Sequence, residues 1–306
     1  MKAVVTGGAG FIGSHLAEEL VKSGYEATVI DSLVSGLREN VPKQAKFVKK
    51  DITVDDLSRD LKGADAVFHF AADPDVRSSA GDSAKSFNNN VLGTFRVLEA
   101  CRTSGIKRFV FASTSTVYGE TNIIPTPETH ACEPISNYGA SKLACEAYIS
   151  SYAHTYGIKS TVLRYANIFG SRSTHGVIFD FYQKLRKDPK RLEILGNGKQ
   201  EKSYLFVSDC VSGTMSAFRS QEAQYAAYNV GSREKKTVDE IARMVCSEMG
   251  ASPKSTHTGG ERGWAGDVRL MLLDVSKLEA LGWSAKVGFE EGVSLYLGWL
   301  KGKYGA

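Results

Sequence analysis

Tyr138 and Lys142 stand four residues apart in SNYGASKLACEAYISSYA, a segment whose composition suits a helix begun at Ser136 or Asn137. At that spacing the two side chains share one helix face. A phenol in water titrates at about pH 10 and a neighbouring ammonium favours the phenolate, which makes Tyr138 a candidate general base. Upstream, FASTSTVYGE ends an apolar run with hydroxyls at Ser113, Thr114, Ser115 and Thr116, and Thr114 precedes Tyr138 by 24 residues. A hydroxyl there can share a proton with the substrate oxygen on which the phenolate acts. Taken singly, each segment has a plainer reading: a tyrosine and a lysine on a solvated helix, and hydroxyls that form a turn. Their occurrence together is what singles them out.

Those groups need a crevice, and the N-terminal residues describe one. From Ala3 to Asp31 the chain reads AVVTGGAGFIGSHLAEELVKSGYEATVID: an apolar strand, a glycine turn, an amphipathic helix, a second strand and an acid at its end. Gly8, Gly10 and Gly13 supply a tight turn, room for backbone to approach a pyrophosphate, and close packing of helix on strand. The helix N-terminus then faces the phosphates. Asp31, eighteen positions beyond Gly13, suits the hydroxyls of an adenosine ribose and repels a 2′-phosphate, so NAD is expected rather than NADP. The nicotinamide cation of such a cofactor would also favour the Tyr138 phenolate. A glycine turn beside an empty crevice is the alternative.

The rest of the chain is consistent with an enzyme of this kind. Its 306 residues suffice for one large domain and a smaller one. A net charge of +4 from 38 scattered basic and 34 acidic residues argues against a nucleic-acid partner. Five widely spaced cysteines without a C-x-x-C pair read as reduced thiols of a cytoplasmic protein. The first strand begins within two residues of Met1, which leaves no room for a signal peptide. No apolar run approaches the roughly 18 residues of a membrane span. Strand-like runs at Ala27 to Ile30, Lys46 to Lys49, Ala66 to Phe70, Phe109 to Ser113 and Ser160 to Arg164 alternate with helical ones. Ile12, Leu16 and Leu20 share a face, as do Val91, Phe95 and Leu98. The expected fold is α/β, a Rossmann-type doubly wound parallel sheet with a smaller α+β C-terminal substrate domain. Residues 1–170 are expected to form the NAD-binding part, with returns at 203–231, and residues 171–306 the substrate-binding part.

The motifs TGGAGFIG, Asp51-Ile52, HFAA, NNVLGT, STVYG, YGASK, LRYANIFG, LGNGKQEKSYLFVSD, GWAGD and LGW run in order along nearly the whole chain. In this the sequence resembles the extended short-chain dehydrogenase/reductases, in their nucleotide-sugar epimerase branch, and most of all the UDP-glucose (UDP-galactose) 4-epimerases. The resemblance implies Tyr138 as base, Lys142 as its pKa partner and ribose ligand, and Thr114 as the hydroxyl partner. It implies NAD contacts from Gly7, Gly10, Phe11, Ile12, Gly13, Asp31, Ser32, Ser35, Gly36, Asp51, Ile52, Phe70, Ala71, Ala72, Asn90, Ser113 and Tyr165, besides Tyr138 and Lys142. For the UDP-sugar substrate it implies Thr114, Asn167, Val177, Ile178, Leu195, Lys202, Arg262, Asp267 and Arg77. Lys202 stands where the family often has arginine, a point charge in place of a bidentate fork. The position that limits access of N-acetylated sugars in relatives aligns with Met271, whose flexible, middling side chain reads rather as a packing residue. A homodimer through helices near Phe87 to Cys101 and Tyr138 to Tyr156 is implied as well.

The reaction expected is reversible C4 epimerisation through a transient 4-keto sugar. Related 4,6-dehydratases carry Thr-Asp-Glu before V-Y-G, whereas this chain has Thr114, Ser115 and Thr116. Dehydration therefore lacks its carboxylates. The alternatives are epimerisation of a UDP-N-acetylhexosamine or UDP-uronate, a net NAD-dependent dehydrogenase, and a dinucleotide sensor without catalysis.

Overall fold

The computed structural model describes residues 1–76, 78–264 and 266–305. Its strands are β1 (Lys2–Thr6), β2 (Glu26–Asp31), β3 (Lys46–Lys49), β4 (Ala66–His69), β5 (Arg108–Thr114), β6 (Lys159–Tyr165), β7 (Asn167–Phe169), β8 (Arg191–Ile194), β9 (Glu201–Phe206), β10 (Tyr225–Val230), β11 (Lys235–Thr237), β12 (Lys254–His257) and β13 (Leu270–Met271). Seven of them form one parallel sheet in the order β10-β6-β5-β4-β1-β2-β3. The chain winds outward from β1 through β2 and β3, then crosses to β4 on the other side. That reversal opens a crevice at the carboxyl ends of β1 and β4, where doubly wound sheets bind ligands.

Successive strand residues point to opposite faces, so each face gathers its own core. Val5 and Phe68 join Leu16 and Leu20 of the helix Phe11–Lys22 and Phe218 of the helix Val207–Ser220. Val4 and Val67 face the other way, toward Leu98 of the helix Gly93–Thr103 and Ile149 of the helix Asn137–Tyr156. Phe95 differs from the expected pattern: it is 38% exposed and packs edge-on against Tyr148 rather than onto the sheet. The turn just before it, Phe87–Leu92, is a π-helix, whose extra residue shifts the face that the next turn presents.

A second body of structure sits over the crevice. β9 is central to a smaller sheet with β11, β13 and β7, and β8 pairs with β12. Its core includes Phe169, Phe181, Tyr182, Leu192 and Tyr296. The segment 203–231 is shared: β10 completes the large sheet, while β9, at its start, belongs to the small one. Among the described residues no helix is long and apolar enough to cross a membrane, and no cluster of His, Cys, Asp or Glu could hold a metal ion. The five cysteines are free thiols.

Candidate active site

The glycine turn is shaped by contacts that a side chain would destroy. Gly7 has φ +70°, and a Cβ there would fall 2.5 Å from the Ala71 nitrogen; one on Gly13 would fall 2.3 Å from the Gly7 carbonyl oxygen. A Cβ on Gly10 meets the Gly7 carbonyl at 3.2 Å and otherwise open space. Gly10 begins the helix Phe11–Lys22 with no side-chain cap and no acid in the first turn, so its leading N–H groups suit an anion. Ile12 packs against the core, and the Phe11 ring stands edge-on to His15 and His175.

Asp31 is buried, and its carboxylate accepts hydrogen bonds from Ala9 N (3.0 Å) and Leu33 N (2.8 Å). It therefore pins the glycine turn to the end of β2 and keeps lone pairs for a ribose. Ser32 accepts from Val34 N at 3.4 Å, Ser35 is exposed, and buried Gly36 lies against Ala9 and Asp31. Asp51 caps its own turn by accepting from Thr53 N and Oγ1 at 2.8 and 2.7 Å, and Ile52 packs under Gly93. Phe70, Ala71 and Ala72 leave β4 half-buried beside the turn. Asn90, in the π-helical turn, accepts from Asp73 N (2.8 Å) and donates to Asp73 O (3.2 Å) and Ser141 Oγ (2.9 Å). These are the features a dinucleotide needs: unfilled helix N–H groups, a carboxylate at the ribose position and glycines where backbone must approach closely.

Ser136 caps the helix Asn137–Tyr156 by accepting from Gly139 N at 3.1 Å. Lys142, 3% exposed, donates to Ala112 O at 2.9 Å, and its Nζ lies 4.7 Å from the Phe111 ring centre and 5.9 Å from that of Tyr138. Burial lowers its pKa to about 8. Two of its three donors remain for a ligand. Burial pushes the Tyr138 phenol above its ordinary value, and Thr114, at the end of β5, draws it down only in part; the Thr114 hydroxyl itself lies 3.1 Å from Thr116 Oγ1 and accepts from Thr116 N at 3.2 Å. The ammonium points at a carbonyl, and desolvation of the phenol prevails. Under the sheet end, His69 is fully buried between Thr6 Oγ1 (2.6 Å) and Thr94 Oγ1 (2.9 Å), and burial lowers its pKa to about 3.

Three expected contacts have other partners. Ser113 gives its hydroxyl to buried Glu146, and the Tyr165 hydroxyl lies 2.7 Å from Thr214 Oγ1, beneath the crevice. Ile178 is 2% exposed within the core of the second body, while its neighbour Val177 is half-buried. In each case the hydroxyl or alkyl group finds a buried partner that spacing along the chain could not reveal. Met271 is buried in the core, in keeping with its reading as a packing residue.

On the facing wall, Lys202 of β9 pairs with Asp267, which also accepts from Gly263 N at 3.1 Å. Arg262 pairs with Glu120 at 2.9 Å and donates to Asp267 O at 3.4 Å. Asn167 of β7 donates to Ser203 O at 3.0 Å, and half-buried Leu195 accepts from Gln200 Nε2 at 3.2 Å. Fold and pairing thus gather Lys202, Arg262 and Asp267 from segments about 60 residues apart. Arg77 lies outside the described residues. Sequence reasoning missed Glu120, Gln200 and Trp264 here. Trp264 Nε1 and Gln200 Oε1 are buried without a hydrogen-bond partner, and the Lys202 ammonium lies 5.4 Å from the Trp264 ring centre. A tryptophan in a glycine-rich loop was the available signal.

Residues 3–231 match the model of the NAD dependent epimerase/dehydratase family. The chain is 31% identical over 306 residues to a UDP-glucose 4-epimerase of Corynebacterium glutamicum, covering 93% of this chain and 91% of the relative. A crystal structure of a UDP-galactose 4-epimerase superposes with a TM-score of 0.91 at 43% identity, over 99% of this chain and 100% of that one. The UDP-glucose 4-epimerase of Thermus thermophilus, in complex with NAD, superposes with a TM-score of 0.91 at 37% identity, over 99% of each chain.

Proposed function

The chain belongs to the NAD-dependent epimerase/dehydratase family, and from that premise we propose that it is a UDP-sugar 4-epimerase that interconverts UDP-galactose and UDP-glucose with tightly held NAD. The observation that carries this reading is the meeting of Thr114, Tyr138 and Lys142 at the sheet end beside the glycine turn. NAD, when bound, supplies the acceptor for the C4 hydride and its return to the opposite face of the sugar. Tyr138 takes the C4 hydroxyl proton and gives it back to the 4-keto oxygen. Thr114 orients that oxygen through its hydroxyl. Lys142 offers its remaining donors to the cofactor ribose, and its charge favours the phenolate once a cationic ring lies beside it.

Gly7, Gly10, Gly13, Asp31, Ser35 and Gly36 are the proposed cradle of the dinucleotide. Lys202, Arg262, Asp267 and Asn167 are the proposed holders of the UDP moiety, so that the sugar can turn while its diphosphate stays anchored. The loss of the Thr-Asp-Glu carboxylates at Thr114, Ser115 and Thr116 supports epimerisation over dehydration. The proposed division is a cofactor part of residues 1–170 with returns from 203–231, and a substrate part of 171–306. A second copy of the chain is the proposed cover for Phe87, Leu92, Phe95, Tyr148 and Tyr156, which lie exposed on adjoining helices. The free cysteines suit a cytoplasmic location.

The test is an NMR time course with UDP-galactose, UDP-N-acetylgalactosamine and UDP-glucuronate in separate tubes, with NADH absorbance followed. Fastest conversion of UDP-galactose to its C4 epimer without NADH accumulation is the expected result. Faster turnover of another sugar reassigns the substrate, and accumulating NADH makes the protein a dehydrogenase.

A further inference from the structure

Behind the reacting side chains lies a buried charge that no step above uses. Glu146 follows Lys142 by one helical turn, and its side chain is 3% exposed. Its carboxylate accepts hydrogen bonds from Ser113 Oγ on β5 and from Arg164 on β6, whose Nε lies at 3.1 Å and Nη2 at 2.7 Å. Arg164 in turn donates through Nη1 to the Tyr118 hydroxyl (2.9 Å) and to Glu128 O (3.1 Å). Tyr118 donates to Asn229 Oδ1 at 2.8 Å, and the Asn229 amide reaches Thr126 O and Asp274 O. Apolar residues of similar volume hold a sheet to a helix as well as a buried ion pair does. The placement of this pair, directly behind both partners of Tyr138, points to a role in the reaction.

We propose that Glu146 is a positioning residue: clamped by Arg164, its carboxylate locks the Ser113–Thr114 end of β5 to the Lys142 turn of the helix. Thr114 and Lys142 then meet Tyr138 in one fixed geometry. The kinetic consequences rest on the epimerase reading. Ser113 is one peptide bond from Thr114, so a slip of its hydroxyl moves the group that faces the phenol, and small displacements of reacting groups cost large rate factors. Cys145 and, after it, this same carboxylate oppose the desolvation of Lys142. The other titratable groups facing Lys142 are Cys145 on the same helix, His69 at the end of β4 and Tyr138. Burial keeps these three a thiol, a neutral imidazole and a phenol near neutral pH, which leaves Glu146 as the anion acting on Lys142.

Glu146→Gln tests the charge directly, and the pair Glu146→Met with Arg164→Met tests it without stranding an unpaired arginine. Both, when shown by circular dichroism to be folded, are expected to lower kcat about tenfold or more with KM little changed. The alkaline limb of their kcat profile is expected to move down by about one pH unit, because Lys142 loses its proton earlier. Ser113→Ala keeps the ion pair and is expected to lower kcat by a smaller factor with that limb unmoved. Folded variants with wild-type kcat and an unmoved limb overturn the proposal. Lys142 can also be titrated by NMR of ε-13C-labelled lysine, assigned through Lys142→Arg, which needs no turnover. A lower Lys142 pKa in Glu146→Gln supports the proposal and an unchanged one overturns it, even if the wild type epimerises no UDP-sugar and only the epimerase reading falls.

Discussion

On the cofactor side of the crevice, shape is set by backbone. Gly7 and Gly13 bring peptide groups together at distances no Cβ tolerates, and Asp31 ties the turn to β2 through two N–H groups. On the lid side, shape is set by charges drawn from distant segments. Lys202 is held by Asp267 and Arg262 by Glu120, with side chains ranging from 4% to 40% exposed. The first wall is shaped by the chain alone, whereas the second holds its cations in internal ion pairs, which under the proposed function a diphosphate would rearrange. A rigid cofactor site beside an exchangeable anion site is what hydride return to either face of one sugar requires.

The sharpest way to break this comparison is to remove the proposed proton carrier between the two walls. Tyr138→Phe is expected to lower kcat by about 10³-fold, while NAD still copurifies in equal amount; loss of NAD instead would show that the phenol builds the cofactor wall. The next effect concerns acid stability. His69 is buried neutral with its pKa lowered to about 3, whereas an unfolded histidine titrates near 6.5. Between those values the unfolded chain binds one proton more, so stability falls as pH drops, by about 1.4 kcal/mol per unit when fully developed. His69→Gln, in urea melts from pH 7 to 4, is expected to flatten that slope, and an unchanged slope would assign the acid sensitivity elsewhere.

Gly7→Ala places a methyl group against the Ala71 nitrogen in a left-handed conformation. It is expected to cost about 2 kcal/mol or more, read as a lower Tm and loss of copurified NAD. On the lid wall, Lys202→Gln is expected to raise KM for the UDP-sugar about tenfold, or 1.4 kcal/mol, with NAD content unchanged and a weaker dependence of KM on salt. If the glycine variant affected only KM and the lysine variant only NAD, the two walls would have exchanged roles.

Much of the cofactor side was legible in the chain because its parts are local. The glycine turn, its helix and Asp31 lie within 31 residues, and Tyr138 and Lys142 lie one helical turn apart, so spacing alone defines their geometry. Helix and strand periods likewise conveyed the parallel sheet, although the π-helical turn before Phe95 escaped them. Less legible were side chains whose partners lie far along the chain. Ser113 turned to Glu146 and Tyr165 to Thr214, each hydroxyl drawn to a buried partner, and Ile178 turned into an apolar core.

By itself, then, the order of residues determined the doubly wound sheet, the glycine turn with its helix, and the shared helix face of Tyr138 and Lys142, because sterics and periodicity act over a few residues. Only the tertiary structure decided which hydroxyls face the crevice, how Lys202, Arg262 and Asp267 meet, and that Arg164 and Glu146 share a buried site behind Lys142. Those outcomes depend on desolvation and on charges brought together from distant segments, and no local spacing encodes either.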